Sequence, residues 1–267
     1  MRQLIANLLS FFIPVRKWRR RVRAIIINFQ IRLLFVSKVK YDFIFSLGEA
    51  CFVAEYLKIY GQRKAAAPFD WVYSGTFAAR IQILMDEFKH YFDKEDLEYI
   101  DEKTANGAKL YRNNRTKLMY IHDFFGKSSF DEEYKIVAEK YKRRSNRIID
   151  CLDKGGKLLC VYMEQVWKTP DNRPDPRTFP TQKEIVKLTQ KLNQKYNNQI
   201  DLVYFKINSE LPLDQTHLLY NDANLKIIEY HGALGGNASR EDGASEQIIQ
   251  RTITGYLYYA KPKGRVL

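Results

Sequence analysis

Cysteine is scarce in this chain of 267 residues, and its three copies, Cys51, Cys151 and Cys160, show no regular spacing. An odd count without a spacing pattern argues against a disulfide framework and favours a reducing compartment. The four histidines are also few, and none pairs with cysteines or carboxylates at metal-ligand spacing. We therefore expect no metal site and no cofactor.

Acidic residues are absent from residues 1–40, which hold ten of the 44 basic residues. The net charge is +10 in this segment and only +3 in the remainder of the chain. The overall charge of +13 therefore reports a local basic arm rather than a basic protein. Since no nucleic-acid-binding motif accompanies the charge, we expect no nucleic-acid partner.

The arm lacks an apolar stretch of the roughly 18 residues that a membrane span needs, because Pro14 and Arg32 interrupt its two apolar runs. Its positive charges follow the first apolar run, which is the wrong order for a secretory signal. Both runs are amphipathic, so we expect a helix lying on an anionic membrane, with the protein peripheral on the cytoplasmic face. Its contacting residues would be Phe12, Arg16, Lys17, Trp18, Arg19, Arg20, Arg21 and Arg23. The alternative is a helix packed on the protein's own surface.

Residues 41–267 contain no repeat and no linker, which predicts a single domain. Apolar strand patterns alternate with helical ones, and Lys109–Ile121 has the pattern of a hairpin. The runs Lys157–Met163, Ile200–Ile207 and Leu225–Tyr230 are typical of strands buried on both faces. We therefore expect an α/β fold, with a mixed α+β fold possible, built on a central, largely parallel sheet flanked by helices.

The strongest chemical signal is the position of Cys51. A short apolar run ends at Gly48 and Glu49, and a helical pattern begins at Cys51. Exposed amides and the positive end of the helix dipole favour a thiolate there, which is the reactive form of cysteine. The other two cysteines lie in apolar patterns and are interpreted as small buried hydrophobic residues.

A reactive thiolate needs a base, and His122 is the first candidate because it lies at the end of a predicted strand beside Asp123. His231 is the second candidate, since it also ends a strand and introduces a glycine-rich loop. The alternative interpretation of His122 is a surface or capping histidine.

Four segments together resemble a known bacterial family of unknown function, described as papain-like cysteine peptidases. They are Ser46–Leu57, Pro68–Trp71, Ile121–Phe124 and Tyr141–Arg147, and the resemblance spans about residues 41–230. It implies a nucleophile at Cys51, a base at His122, and Asp70 or Asp123 orienting the imidazole. The residues expected to contact substrate are Gly48, Glu49, Trp71, Arg143, Arg144, Arg147 and His231. The three arginines are equally consistent with the solvated face of a long helix.

The chain departs from papain in one respect. The Cys-Gly-Ser-Cys-Trp context of papain is missing, and a strand that leads through a tight turn into the Cys51 helix resembles the nucleophile elbow of α/β-hydrolases. This departure favours an open parallel sheet over the papain fold.

Three functions fit the sequence. The first is a cysteine-dependent hydrolase, nominally a peptidase, acting on a peptide. The second is a membrane-associated acyl- or glycan-modifying transferase acting on a lipid-linked glycan, because Phe12–Arg23 resembles segments that precede bacterial enzymes of surface-polysaccharide assembly. The third is a non-catalytic, membrane-bound interaction domain in which Cys51 is a core residue.

Overall fold

The computed structural model describes residues 41–49, 51–59, 62–103, 107–164, 179–208, 210–211 and 216–230. The basic arm and His231 therefore lie outside the described residues. The strands are β1 (Phe43–Gly48), β2 (Val72–Ser74), β3 (Leu97–Lys103), β4 (Lys109–Asn113), β5 (Leu118–Phe124), β6 (Leu158–Met163), β7 (Ile200–Ile207), β8 (Thr216–Asn221) and β9 (Leu225–Tyr230). The helices are α1 (Cys51–Ile59), α2 (Phe77–Met85), α3 (Phe130–Asp153) and α4 (Gln182–Lys195).

A five-stranded sheet of order β1-β6-β7-β9-β8 forms the centre of the fold. Its first four strands pair in parallel, and β8 joins β9 as an antiparallel edge. Every residue of β1 and of β6 is buried, which explains their continuous apolar sequences, because helices cover both faces of a parallel sheet. The predicted α/β fold with a largely parallel sheet is confirmed.

A second, antiparallel sheet of order β2-β5-β4-β3 packs beside the first. The predicted hairpin corresponds to β4 and β5 of this sheet. The sequence did not predict β2 and β3 as strands. A three-residue strand and the charged sequence Leu97–Lys103 both lack the alternation that identifies a half-buried strand.

Two apolar clusters lie on opposite faces of the parallel sheet. One joins α1 to the sheet through Phe52, Val53 and Tyr56. The other fills the space between the sheet, the helices α2, α3 and α4, and the antiparallel sheet, and it is rich in aromatic rings. Together they fix the carboxyl edge of the parallel strands, where α/β proteins place their sites.

Local signals define where the two longer helices begin. Ser129 with Glu132 and Thr181 with Glu184 form capping boxes at the starts of α3 and α4. The second capping box was predicted from the sequence and is confirmed. Within the described ranges, no helix combines the length and the apolar composition required to cross a bilayer.

Candidate active site

Cys51 is the first residue of α1, directly beyond the carboxyl end of β1. Its side chain is half-buried, and the first turn of the helix carries no acidic residue. The preceding turn is held locally, because the backbone N–H of Gly48 donates to Ser46 Oγ at 3.1 Å. The predicted placement of a thiol at a helix N-terminus is confirmed, and the helix dipole there favours the thiolate.

The turn before Cys51 rests on a buried arginine. Arg80 of α2 is fully buried; its Nη1 donates to the Leu47 carbonyl at 3.0 Å, and its Nη2 donates to the carbonyl of Ser74 at 2.6 Å. A Cβ placed on Gly48, which has a φ of +117°, would lie 2.7 Å from the Arg80 Cζ. Only glycine fits this turn, because its missing side chain is the space that the guanidinium occupies.

Arg80 also connects the Cys51 turn to the Pro68–Trp71 motif. Its Cζ lies 5.5 Å from the centre of the Phe69 ring, and its Nη2 also reaches the Val72 carbonyl at 3.3 Å. Burial lowers the pKa of this guanidinium. Sequence reasoning missed Arg80, although it occupies an apolar position of the α2 stripe that Phe77 and Ile81 define. A charged residue at such a position is a recognisable signal of a buried polar contact.

A cavity of about 200 Å³ opens beside the Cys51 turn at the N-terminus of α2. Glu49 lines it, together with the aromatic side chains of Phe77, Tyr162 and Phe179. Its walls are therefore mainly apolar, with two carboxylates, those of Glu184 and of Glu49, which lies two residues before the thiol. This cavity suits an apolar group of a substrate bound next to Cys51.

Glu164 is a second residue that sequence reasoning missed. It follows β6 directly, and the backbone N–H of Glu49 donates to the neighbouring Met163 carbonyl at 3.1 Å. Its fully buried carboxylate accepts hydrogen bonds from the Tyr204 hydroxyl at 2.7 Å and from the Ile207 N–H at 2.8 Å. Burial raises the pKa of Glu164 to about 7 despite these donors. An acidic residue directly after a buried strand is the signal that points to it.

His122 lies half-buried on β5, at an irregularity of the antiparallel ladder. Lys109 pairs with Phe124 and Tyr111 pairs with Tyr120, so β5 has two more residues than β4 between these pairs. Bulges of this kind re-aim side chains and recur next to active sites. The imidazole packs edge-to-face with the Trp71 ring at 5.9 Å. Burial lowers the pKa of His122, so the ring is neutral near pH 7 and can accept a proton.

The two carboxylates predicted to orient His122 have cationic partners. Asp70 is fully buried, and its Oδ2 accepts from Arg63 Nε at 2.7 Å and from the Ala67 N–H at 2.8 Å. Burial raises the pKa of Asp70, and Arg63 opposes the increase. Asp123 accepts from the Tyr141 hydroxyl at 2.6 Å and from the Lys140 ammonium. Asp70 therefore holds the Ala67–Trp71 turn, and Asp123 joins β5 to α3.

The three arginines of α3 occupy different environments. Arg147 donates to the Ala66 carbonyl, and Arg144 lies 5.8 Å from the centre of the Tyr141 ring. Arg144 also lowers the pKa of Asp70 through its charge. Arg143 is exposed. Arg144 and Arg147 thus support the turn that carries Asp70, and Arg143 remains on the solvated face of the helix.

The contacts of His122 lead to the last turn of α1. Its partner Trp71 lies under the Arg63 guanidinium, with 5.6 Å from the Arg63 Cζ to the ring centre. The backbone N–H of Arg63 donates to the Leu57 carbonyl at 2.9 Å. Arg63 also pairs with Asp70, so one set of contacts joins Asp70, Trp71 and His122 to the residue that follows α1.

A thiol at a helix N-terminus, on the carboxyl edge of a parallel sheet, defines a candidate cysteine-dependent enzyme. Residues 42–208, more than half of the chain, match the model of a family of unknown function described as "putative papain-like cysteine peptidase". The chain belongs to this family. The family resemblance inferred from the sequence motifs is thus confirmed, while the roles assigned to individual residues remain predictions.

The chain is also similar to an uncharacterized protein, R408, of Acanthamoeba polyphaga mimivirus. The two are 27% identical over 136 residues, which represent 45% of this chain and 60% of the viral protein. The chain thus spans somewhat less than two thirds of that relative's length. No solved structure matches this chain.

Proposed function

We propose that this protein is a cysteine-dependent acyl hydrolase, nominally a peptidase, with Cys51 as the nucleophile. The observation that carries the proposal is the half-buried Cys51 thiol at the first residue of α1, two residues after Glu49, which lines a mainly apolar cavity. The helix dipole favours the thiolate, and the cavity can hold the side chain or acyl group adjacent to the scissile bond. Membership of a family named for cysteine peptidases supports the same reaction class.

The reaction would follow the usual course of thiol catalysis. The Cys51 sulfur attacks the carbonyl carbon to form a C–S bond, and the C–N or C–O bond breaks as the leaving group takes a proton. Water then attacks the thioester, which releases the acid and regenerates the thiol. Backbone N–H groups at the start of α1 would stabilise the oxyanion in both steps.

His122 is proposed as the base that accepts the Cys51 proton. A neutral imidazole near pH 7 has the required protonation state. This role requires the ring of His122, which packs on Trp71, to come within hydrogen-bonding distance of the Cys51 sulfur when substrate binds. Contacts of catalytic groups often tighten only in the complex.

Acylation by 4-nitrophenyl acetate tests the nucleophile. We expect the full chain to release nitrophenolate and to gain one acetyl group on Cys51, as located by peptide mass spectrometry. Cys51→Ala should abolish both signals, whereas the matched variant Cys151→Ala should retain them. Acetylation that continues unchanged in Cys51→Ala would refute the proposal.

The same assay tests the base. His122→Asn should slow acylation by about 10²-fold or more, since general bases contribute about 10²–10⁴-fold. His217→Asn is the matched control, because His217 is an exposed histidine on β8. Equal rates for the two histidine variants would remove His122 from the mechanism and leave Cys51 in place.

A further inference from the structure

A cleft at the opposite edge of the parallel sheet is lined by carboxamides. It lies between the second half of α4 and the amino ends of β7 and β9, and its volume is about 530 Å³. Its lining includes Gln190, Asn193, Gln194, Asn197, Asn198 and Asn224. Cys51 follows the carboxyl end of β1, so the two sites lie at opposite ends of the parallel strands and on different strands.

Most of these carboxamides have unused hydrogen-bonding capacity. The structure shows no hydrogen bond from any described residue to the side chains of Gln190, Gln194, Asn197 or Asn198. Asn193 is 5% exposed, and neither its Oδ1 nor its Nδ2 has a partner within the described part of the chain. Buried polar groups normally have partners, since leaving one unpaired costs about 1–3 kcal/mol.

The charges around the cleft argue for a neutral ligand. Among the described residues, no lysine or arginine lines the cleft, so this part of the chain supplies none of the groups that recognise phosphates and carboxylates. Asp222 is the one carboxylate in the lining that the described residues form. Its side chain accepts from the N–H groups of Asn224 at 2.9 Å and Leu225 at 2.6 Å and from the Tyr220 hydroxyl at 2.9 Å. The Asp222 carboxylate therefore already accepts three hydrogen bonds, and its negative charge would repel an anionic ligand.

Carboxamides match hydroxyl groups, because each carboxamide and each hydroxyl both donates and accepts. Val186 and Leu225 add an apolar surface to the lining, which suits the C–H face of a sugar ring. The volume falls within the range of about 300–1,000 Å³ that is usual for small-molecule sites. We propose that this cleft is a binding site for a neutral carbohydrate of one or two sugar rings, independent of the Cys51 chemistry.

Titration of the ¹⁵N-labelled full chain with maltose and with N-acetylglucosamine tests the site. Side-chain NH₂ resonances of Gln190, Gln194, Asn197 and Asn198 should shift in a saturable manner, because these groups would donate to the sugar hydroxyls. Cys51→Ala should bind the sugars equally well, so this result does not depend on the proposed hydrolase activity.

Two variants remove the interaction without disturbing the core, since Gln190 and Gln194 are exposed on α4. Gln190→Leu and Gln194→Leu should each weaken binding by about 5-fold, the loss expected for one hydrogen bond. Lys187→Leu is the matched control, because Lys187 is exposed on the same helix and does not line the cleft. Its affinity should stay unchanged.

Three results would overturn the proposal. The first is the absence of a saturable shift with either neutral sugar, and the second is equal affinity in the leucine variants and in Lys187→Leu. The third is tighter binding of glucuronate or of a triglycine peptide than of the neutral sugars, which would assign the cleft to another class of ligand.

Discussion

Cys51 and Cys160 lie in different environments. Cys51 follows an apolar run, whereas Cys160 lies within one. Cys160 lies inside β6 with no exposed surface, and its Sγ donates to the Asp201 carbonyl at 3.4 Å. Burial raises the pKa of this thiol well above its usual value. Cys51 is half-buried at a helix N-terminus. The two thiols therefore differ in exposure because of their positions in the secondary structure, and not because of residue type.

This contrast predicts selective alkylation. Brief treatment of the native chain with iodoacetamide near pH 7 should modify Cys51 and leave Cys160 as a free thiol, because alkylation needs an accessible thiolate. Peptide mass spectrometry measures both sites. Urea-unfolded protein is the control, in which the two cysteines should react alike. Equal modification in the native state would contradict the assignment of Cys51 as an activated thiol.

Glu164 predicts a distinct pH dependence of stability. Burial raises its pKa from 4.5 to about 7, so the folded state binds more protons than the unfolded state between these values. The free energy of unfolding should therefore fall as pH rises through this window, by up to about 3 kcal/mol from this group. The contribution is fully present below the unfolded pKa and is lost above the folded one.

Urea unfolding at pH 5 and pH 7.5 measures this effect. Glu164→Gln should show a smaller decrease in the free energy of unfolding than the natural chain does between the two values. Glu210→Gln is the control because Glu210 is exposed, and its decrease should equal that of the natural chain. If Glu164→Gln retains the full decrease, Glu164 does not titrate in this range.

At the scale of the elements, Arg80 joins α2, β2 and the end of β1 at the Gly48 turn. One guanidinium donates to carbonyls from both sheets, and the loss of these bonds would leave those carbonyls without this donor. The turn that precedes Cys51 is therefore fixed by the packing of two other elements, and not by its own sequence alone.

This arrangement predicts the cost of adding one methyl group. Gly48→Ala should lower the free energy of unfolding by at least about 2 kcal/mol, because alanine disfavours positive φ and its Cβ would overlap a guanidinium that is held on three sides. Gly155→Ala is the matched control, since Gly155 also has positive φ (+72°) but its Cβ would meet open space. Equal losses in the two variants would show that backbone strain alone matters and that Arg80 does not constrain the turn.

At the scale of the whole molecule, the charge is divided between the basic arm and a nearly neutral remainder. We propose that the arm binds anionic membranes, a prediction made from its sequence alone. Each basic residue near such a surface contributes about 1 kcal/mol to the free energy of membrane binding. Replacing Arg19, Arg20 and Arg21 with glutamate should reduce binding to phosphatidylserine-containing vesicles by about 100-fold or more in a co-sedimentation assay.

The control for this experiment has the same change in net charge. Glutamate at Lys183, Lys187 and Lys191, which are exposed on α4, should weaken binding far less because these residues lie outside the arm. Binding should also decrease as salt concentration rises. Equal losses in the two triple variants would show that net charge, and not the arm, controls membrane association.

The parallel sheet, the β4–β5 hairpin and the start of α1 at Cys51 were predictable because each depends on local patterns. Continuous apolar runs indicate strands buried on both faces, and a capping box or a glycine turn marks where a helix begins. The antiparallel sheet was only partly predictable. β2 and β3 become strands through pairing with β5 and β4, and their own residues carry no alternation.

The sequence by itself determined the family, the position of Cys51 at the start of a helix and the charge of the arm, because these follow from motifs, helix starts and composition. Only the tertiary structure decided that Arg80 lies behind Gly48, that Glu164 is buried at the edge of β6, and that His122 packs on Trp71. These are contacts between residues distant along the chain. The surrounding packing sets their burial and protonation, which no local pattern encodes.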